Sequence, residues 1–175
     1  MAEKKKKLPS TFLNMVLVLT VIALVSATAL AFTFSATKEA RRMVKVKKTL
    51  AAIEKVVPQF DNNPNDAKVE IAEGEFAELI FYPATKEGQP VGIAIKTYTD
   101  SGFAERIWLM VGFDPAGKIY NISVLEQKET PGLGTKMKDS KFRDQFKGQD
   151  PASFQLKVNK DGGPVDAITA ATITS

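Results

Sequence analysis

The sequence predicts an α+β protein: one transmembrane helix, then a domain built on an antiparallel sheet with flanking helices. Three observations predict it. Residues 12–34 carry no charge and are mostly apolar. Residues 43–57 repeat apolar side chains at helical steps. Four apolar or β-branched runs between Phe81 and Glu126 are separated by turn-forming residues.

Residues 1–11 form a basic tail containing Lys4, Lys5, Lys6 and Lys7. The uncharged run from Phe12 to Phe34 is 23 residues long. At about 1.5 Å per residue it covers about 34 Å, enough for a hydrocarbon core of about 30 Å. Asn14, Ser26 and a few threonines interrupt it, and hydroxyls are able to bond back to the helix backbone. Its length, and the lack of any break after it, favour an anchor in the lipid bilayer. The competing reading is a cleaved signal peptide, for which Ala29-Leu30-Ala31 supplies a small-x-small site. Orientation from charge is ambiguous, because Lys38, Arg41, Arg42, Lys45, Lys47 and Lys48 follow the run; the count slightly favours that end as the inside.

Lys38 to Val57 reads as a juxtamembrane helix. Met43, Val46, Leu50, Ile53 and Val57 form an apolar stripe, and Pro58 ends it. Asp61-Asn-Asn-Pro-Asn-Asp66 is a loop. The carboxylates between Asp66 and Glu78 alternate with apolar residues, which indicates a solvated face rather than a metal site. Phe81-Tyr82, Val91–Tyr98, Arg106–Phe113 and Ile119–Glu126 read as hairpin-connected strands. The turns between them are Lys86-Glu-Gly88, Asp100-Ser-Gly102 and Asp114-Pro-Ala-Gly117. Trp108 is expected in the core of this sheet; a ligand-stacking role is the alternative. Asp139–Lys147 is expected as a short helix with Phe142 and Phe146 at i, i+4 and Gly148 as its stop. Phe154–Val158 alternates and is expected as a further strand.

Composition narrows the chemistry. The 175 residues include no Cys and no His, which leaves no side chain for thiol or imidazole catalysis, disulfides or iron–sulfur ligation. Redox chemistry would need an organic cofactor. The net charge of +4 is uneven: residues 1–57 hold 11 basic and 3 acidic side chains, residues 58–175 hold 13 and 17. The basic excess flanks the apolar run, where anionic headgroups attract it. The remainder is mildly acidic, which argues against nucleic-acid binding.

Two short stretches carry the functional reading. Glu129-Thr130-Pro-Gly132-Leu133-Gly134 places two glycines around a leucine, so the backbone is open to close approach. It is neither a dinucleotide fingerprint, lacking a third glycine at Met137, nor a P-loop, since the glycine spacing before Lys136 is wrong. The last ten residues run Asp166-Ala-Ile-Thr169-Ala170-Ala171-Thr172-Ile-Thr-Ser175. Asp166 is a natural helix-start residue, and the hydroxyls at i, i+3 and i+6 share one helical face. A helix start with small side chains suits a phosphate.

The terminal stretch resembles the flavinylation motif Asp-x-x-(Ser/Thr)-Gly-Ala-Thr of the FMN-binding domain family, and the earlier one resembles that family's Glu-Thr-Pro-Gly-Leu-Gly loop. Together they are specific. The resemblance implies FMN joined through its phosphate to Thr172, with Asp166, Thr169 and Ala171 as recognition or capping residues. It also implies a flavin site shaped by Glu129, Thr130, Gly132, Leu133 and Gly134. Ala170 stands where glycine is commoner, a small departure. A threonine hydroxyl needs a base or metal to become nucleophilic, and the family's flavin is installed by a separate Mg²⁺-dependent flavin transferase. The family implies a single-pass protein of the cytoplasmic membrane, with residues 58–175 extracytoplasmic. It would act as the electron-relay component of a larger complex that couples electron transfer to ion translocation, rather than as a complete enzyme. By length, members from Rnf-type complexes fit better than the larger ones from sodium-translocating NADH:quinone reductases. Other membrane subunits of an Rnf-type complex are then partners. Family members usually continue for several helical turns beyond the position of Ser175. The rival from another class is a membrane-anchored binding module without redox function; a standalone reductase is weaker, since no nicotinamide fingerprint is present.

Overall fold

The computed structural model describes residues 11–74 and 77–168. The chain divides into two compact units that meet between Lys45 and Val46. Helix α1, Phe12–Val56, is uninterrupted for 45 residues.

In the first unit α1 is long and apolar enough to cross a membrane, and its apolar stretch is unburied. Its hydroxyls are satisfied locally. Thr20, Thr28, Thr33 and Thr37 donate to the carbonyls of Val16, Leu24, Ala29 and Thr33 at 2.7–2.8 Å, as expected for polar side chains in an apolar helix. At the end of the uncharged run the Arg41 guanidinium folds back. It donates to the Phe34 carbonyl at 2.8 Å and lies 4.2 Å from the Phe34 ring centre.

The second unit is an α+β domain, the predicted class. Its sheet is an antiparallel meander of five strands in sequence order: β1 (Val69–Glu70), β2 (Ile80–Lys86), β3 (Gln89–Thr99), β4 (Ile107–Phe113) and β5 (Ile119–Glu126). Strand β1 was not expected; only two residues of the acidic stretch pair, Val69 with Phe81 and Glu70 with Ile80. The β2–β3 hairpin closes through Glu87 and Gly88, both at positive φ, the two-residue turn whose twist matches paired strands. The β4–β5 turn is held by Asp114, whose Oδ1 accepts from the amides of Ala116 and Lys118 at 2.9 Å.

One face of the sheet buries the last turns of α1. Ala52, Ile53, Val56 and Val57 pack against Tyr82, Ala84, Ala94 and Met110. The helix sits so close that a Cβ on Gly112 would lie 1.6 Å from the Val56 carbonyl oxygen. The Asn121 amide donates to the Lys55 carbonyl at 2.8 Å, taking up an end-of-helix acceptor. The packed stripe starts later than the sequence pattern implied: Met43 is 69% exposed.

The outer side of β2 is met by the loop after α1. The Asn62 amide donates to the Pro83 carbonyl and its Oδ1 accepts the Thr85 amide, both at 2.9 Å. The Asp61 amide donates to the Thr85 carbonyl at 2.9 Å.

The other face of the sheet carries a second cluster, Ile107, Met137 and Ile168, with Leu109, Val124 and Phe142 against it. An apolar groove of about 460 Å³ runs beside it, floored by residues such as Ile95, Val111 and Ile122.

Two predicted elements differ. The helix expected over Asp139–Lys147 is one α-turn, α2 (Ser140–Arg143), flanked by 3-10 turns at Gly134–Lys138 and Asp144–Phe146. The Phe142–Phe146 contact survives at 5.4 Å, edge to face. Gly148, at φ 72°, ends the segment as anticipated. Phe154–Val158 is no strand and makes a single parallel bridge, Val158 to Val165. The place it would take beside β5 is used at Ile119 by Gly148 and Gln149, which exchange backbone hydrogen bonds with it. The bridge to Val165 ties the run to the approach of the terminal stretch instead of to the sheet.

Candidate functional site

The approach to the terminal motif is held from both sides. The Asp166 amide donates to Gln145 Oε1 and its Oδ1 accepts from Asn159 Nδ2, each at 2.6 Å. The Val165 amide reaches the Lys157 carbonyl at 3.1 Å, and the Asn159 amide returns to the Val165 carbonyl at 2.8 Å. Ile168, 7% exposed, is buried with Ile107 and Met137. Asp166 is therefore fixed in position, its carboxylate engaged by a side-chain amide. Thr169, Ala170, Ala171, Thr172 and Ser175, on which the flavinylation reading falls, lie outside the described residues.

Beside this strut opens a cavity of about 660 Å³. Its walls include Lys136, Lys141 and Lys160, the carboxylates of Asp139 and Asp166, and the apolar Phe142 and Ile168. The size suits a cofactor. The lysines suit phosphate oxygens, and Phe142 and Ile168 offer apolar surface to a ring system. The residues present thus fit a flavin mononucleotide. Sequence reasoning missed Gln145 and Asn159, which hold Asp166, and the three lysines. Only their polarity marked them, and polarity is common on any surface.

The glycine-containing loop is less uniform than its sequence. Thr130 and Leu133 form a turn closed by the Leu133 amide on the Thr130 carbonyl at 3.1 Å, with the Gly132 amide on Thr135 Oγ1 at 2.9 Å. Gly132 has φ 78° and open space where a side chain would stand, so a ligand has access there. Gly134 is different. The space its side chain would fill is taken by Glu129, whose Oε2 would be 2.5 Å from a Cβ. The missing side chain makes room for protein, not for ligand. Glu129 is 6% exposed, and its Oε1 accepts the Phe103 amide at 2.8 Å. The structure thus gathers Glu129, Gly134 and the start of β4 on one side of the sheet, with Met137 linking them to Ile168.

Trp108 is not in the core. It is half-buried, paired with Tyr98 at 5.1 Å, with Lys96 Nζ 4.0 Å from its ring centre and the Arg106 guanidinium 3.8 Å from that of Tyr98. Alternation along β4 puts Trp108 on the face of Met110, away from Ile107 and Ile168. It is therefore not a stacking partner for a ligand beside Ile168. Asp100 and Glu78 pair with Arg106, whose pKa is raised chiefly by the hydrogen bond to Asp100.

The FMN-binding domain family model matches residues 102–175. A Vibrio cholerae protein, named as the G subunit of an ion-translocating oxidoreductase complex, is 36% identical over 172 residues, covering 90% of this chain and 80% of its own. The protein of the same name from Pseudoalteromonas atlantica is 32% identical, covering 90% and 79%. One from Yersinia pestis is 38% identical over 135 residues, covering 71% and 64%.

Proposed function

The chain belongs to the family of G subunits of ion-translocating oxidoreductase complexes, and from that premise we propose that it is a covalent-FMN electron relay, with Thr172 as the attachment residue. The observation that carries the reading is the pinned approach to the motif: Asp166 is locked by Gln145 and Asn159, and with Ala167 and Ile168 it lines a cavity with cationic and apolar walls.

Asp166 acts here by position. Its Oδ1 is held by Asn159 Nδ2, and in this reading activation of the threonine hydroxyl belongs to a flavin transferase acting in trans. With FAD as donor, Thr172 Oγ1 bonds to the phosphorus on the riboflavin side, the bond to the AMP phosphate oxygen breaks, AMP leaves and the hydroxyl proton goes to solvent. Bound FMN supplies one- and two-electron transfer. Lys136, Lys141 and Lys160 balance phosphate charge, Phe142 and Ile168 exclude water from one wall, and Gly132 leaves room for approach. In this reading α1 spans the cytoplasmic membrane, the domain is extracytoplasmic, and the other membrane subunits of an Rnf-type complex supply and accept the electrons.

The test is ultraviolet fluorescence on a denaturing gel, with intact mass, from cells expressing the transferase. The wild type should fluoresce and be heavier by one FMN less one water, and Thr172→Ala should be dark yet folded. A dark wild type, with transferase activity shown on another acceptor, or a fluorescent Thr172→Ala, overturns the assignment. The first outcome would leave a membrane-anchored binding module.

A further inference from the structure

We propose that Phe103, together with Leu133, forms an apolar cover over the flavin ring, and that the buried Glu129 is the positioning residue that sets it; this rests on the flavin reading above. Phe103 is 69% exposed and Leu133 38%. They stand on two loops, residues 100–106 and 127–134, which Glu129 joins. Glu129 is the one buried charged side chain among the described residues. Its Oε1 takes the amide of Phe103 itself, at 2.8 Å, while its carbons pack under Gly134, one residue past Leu133. A single carboxylate thus fixes the base of both exposed apolar residues.

The exposure of Phe103 is not the result of a slack loop. A Cβ on the preceding Gly102 would lie 2.0 Å from the Glu105 carbonyl oxygen and 3.0 Å from Ile107 Cγ1. Asp100 is paired with Arg106 at 2.7 Å, and Glu105 with Lys128. A loop tied at this many points, with an aromatic held in solvent, is arranged for a contact that the protein alone does not make.

The position fits the tether. Ile107, at the end of the first loop, packs with Met137, just beyond the second, and with Ile168. Thr172 is four residues beyond Ile168, a span of at most about 14 Å. A flat aromatic ring attached there reaches the two loops, and Phe and Leu offer it face and edge contact.

The test uses the full chain loaded with flavin and measures iodide quenching of native flavin fluorescence, with covalent loading read separately on a denaturing gel. Phe103→Ala should keep its covalent flavin, and its quenching constant should rise at least about twofold; Phe103→Trp should stay near wild type. Glu129→Ala should rise with Phe103→Ala. Glu129→Gln, which keeps an acceptor oxygen for the Phe103 amide, should not. Loaded variants with wild-type quenching in both Phe103→Ala and Glu129→Ala overturn this proposal alone. A wild type without covalent flavin overturns both it and the reading beneath it.

Discussion

A methyl group placed on Gly134 would stand 2.5 Å from Glu129 Oε2, 2.8 Å from its Cβ and 3.0 Å from its Cγ. Ordinary contact begins near 3.4 Å, so the Glu129 side chain must retreat by close to an ångström at the carboxylate. It cannot do so and keep its 2.8 Å bond to the Phe103 amide. Gly134→Ala therefore combines overpacking, about 1–3 kcal/mol, with loss of a charge-assisted hydrogen bond, about 1.5–3 kcal/mol, for an expected total of about 2–4 kcal/mol once partial relaxation is allowed. Because both contributions act through one side chain, the cost should not add to that of Glu129→Ala. In the Glu129→Ala background the space is vacant, and Gly134→Ala should cost below about 1 kcal/mol, a coupling of more than about 1 kcal/mol. The assay is denaturant unfolding of the four proteins of this cycle in detergent, without flavin. Trp108 is the only tryptophan and is set in the sheet, so its fluorescence is the reporter. Equal costs of Gly134→Ala in both backgrounds would refute the account of why this position is glycine.

Two further expectations concern the domain. Gly112→Ala should destabilise by about 3 kcal/mol or more, because the new Cβ meets the Val56 carbonyl at 1.6 Å and neither backbone is able to yield alone; a melting temperature within a degree or two of wild type would contradict the packing. Tyr82 is buried, and that burial, ahead of the opposing pull of Lys68, raises its phenol pKa above the ordinary value near 10. Its contribution to stability is thus fully present below about pH 10 and is lost as pH rises from there through the folded value. Tyr82→Phe should flatten the alkaline loss of stability above about pH 10, and an unchanged slope would rule out Tyr82 as its source.

Much of the sheet was legible because strands β2 to β5 have the alternation and the turn residues of a meander, and each turn has a local chemical cause: the Glu87-Gly88 pair, or Asp114 accepting two amides. What failed depended on neighbours. Phe154–Val158 alternates like a strand, yet its one bridge, Val158 to Val165, is made outside the sheet. Val69–Glu70 pairs only because β2 presents Ile80 and Phe81 there. Trp108 obeys the strand period, yet α1 does not cover its end of the sheet, so it is met by Lys96 instead. In the candidate site the sequence marked a loop and a strut. It did not separate Gly132, open to a ligand, from Gly134, filled by Glu129, since both are simply glycine until the fold brings a side chain against one of them. Phe103 escaped notice for the same reason: an apolar residue in a polar turn means little until its amide is seen on a buried carboxylate.

The loop residue Asn62 closes one margin of the sheet. Past Phe81 the outward side of β2 shows only the backbone groups of Pro83 and Thr85. Proline has no amide hydrogen to offer; its carbonyl, and both groups of Thr85, are taken by Asn62 and Asp61. A primary amide, matching a peptide group donor for donor, stands in for the strand that β1 is too short to provide. No row of free hydrogen-bonding groups remains there to recruit a stranger's strand, which is how exposed sheet margins start to aggregate. For a domain that follows a helix apolar enough to cross a membrane, among copies confined to the same plane, that closure withdraws this margin from edge-to-edge pairing.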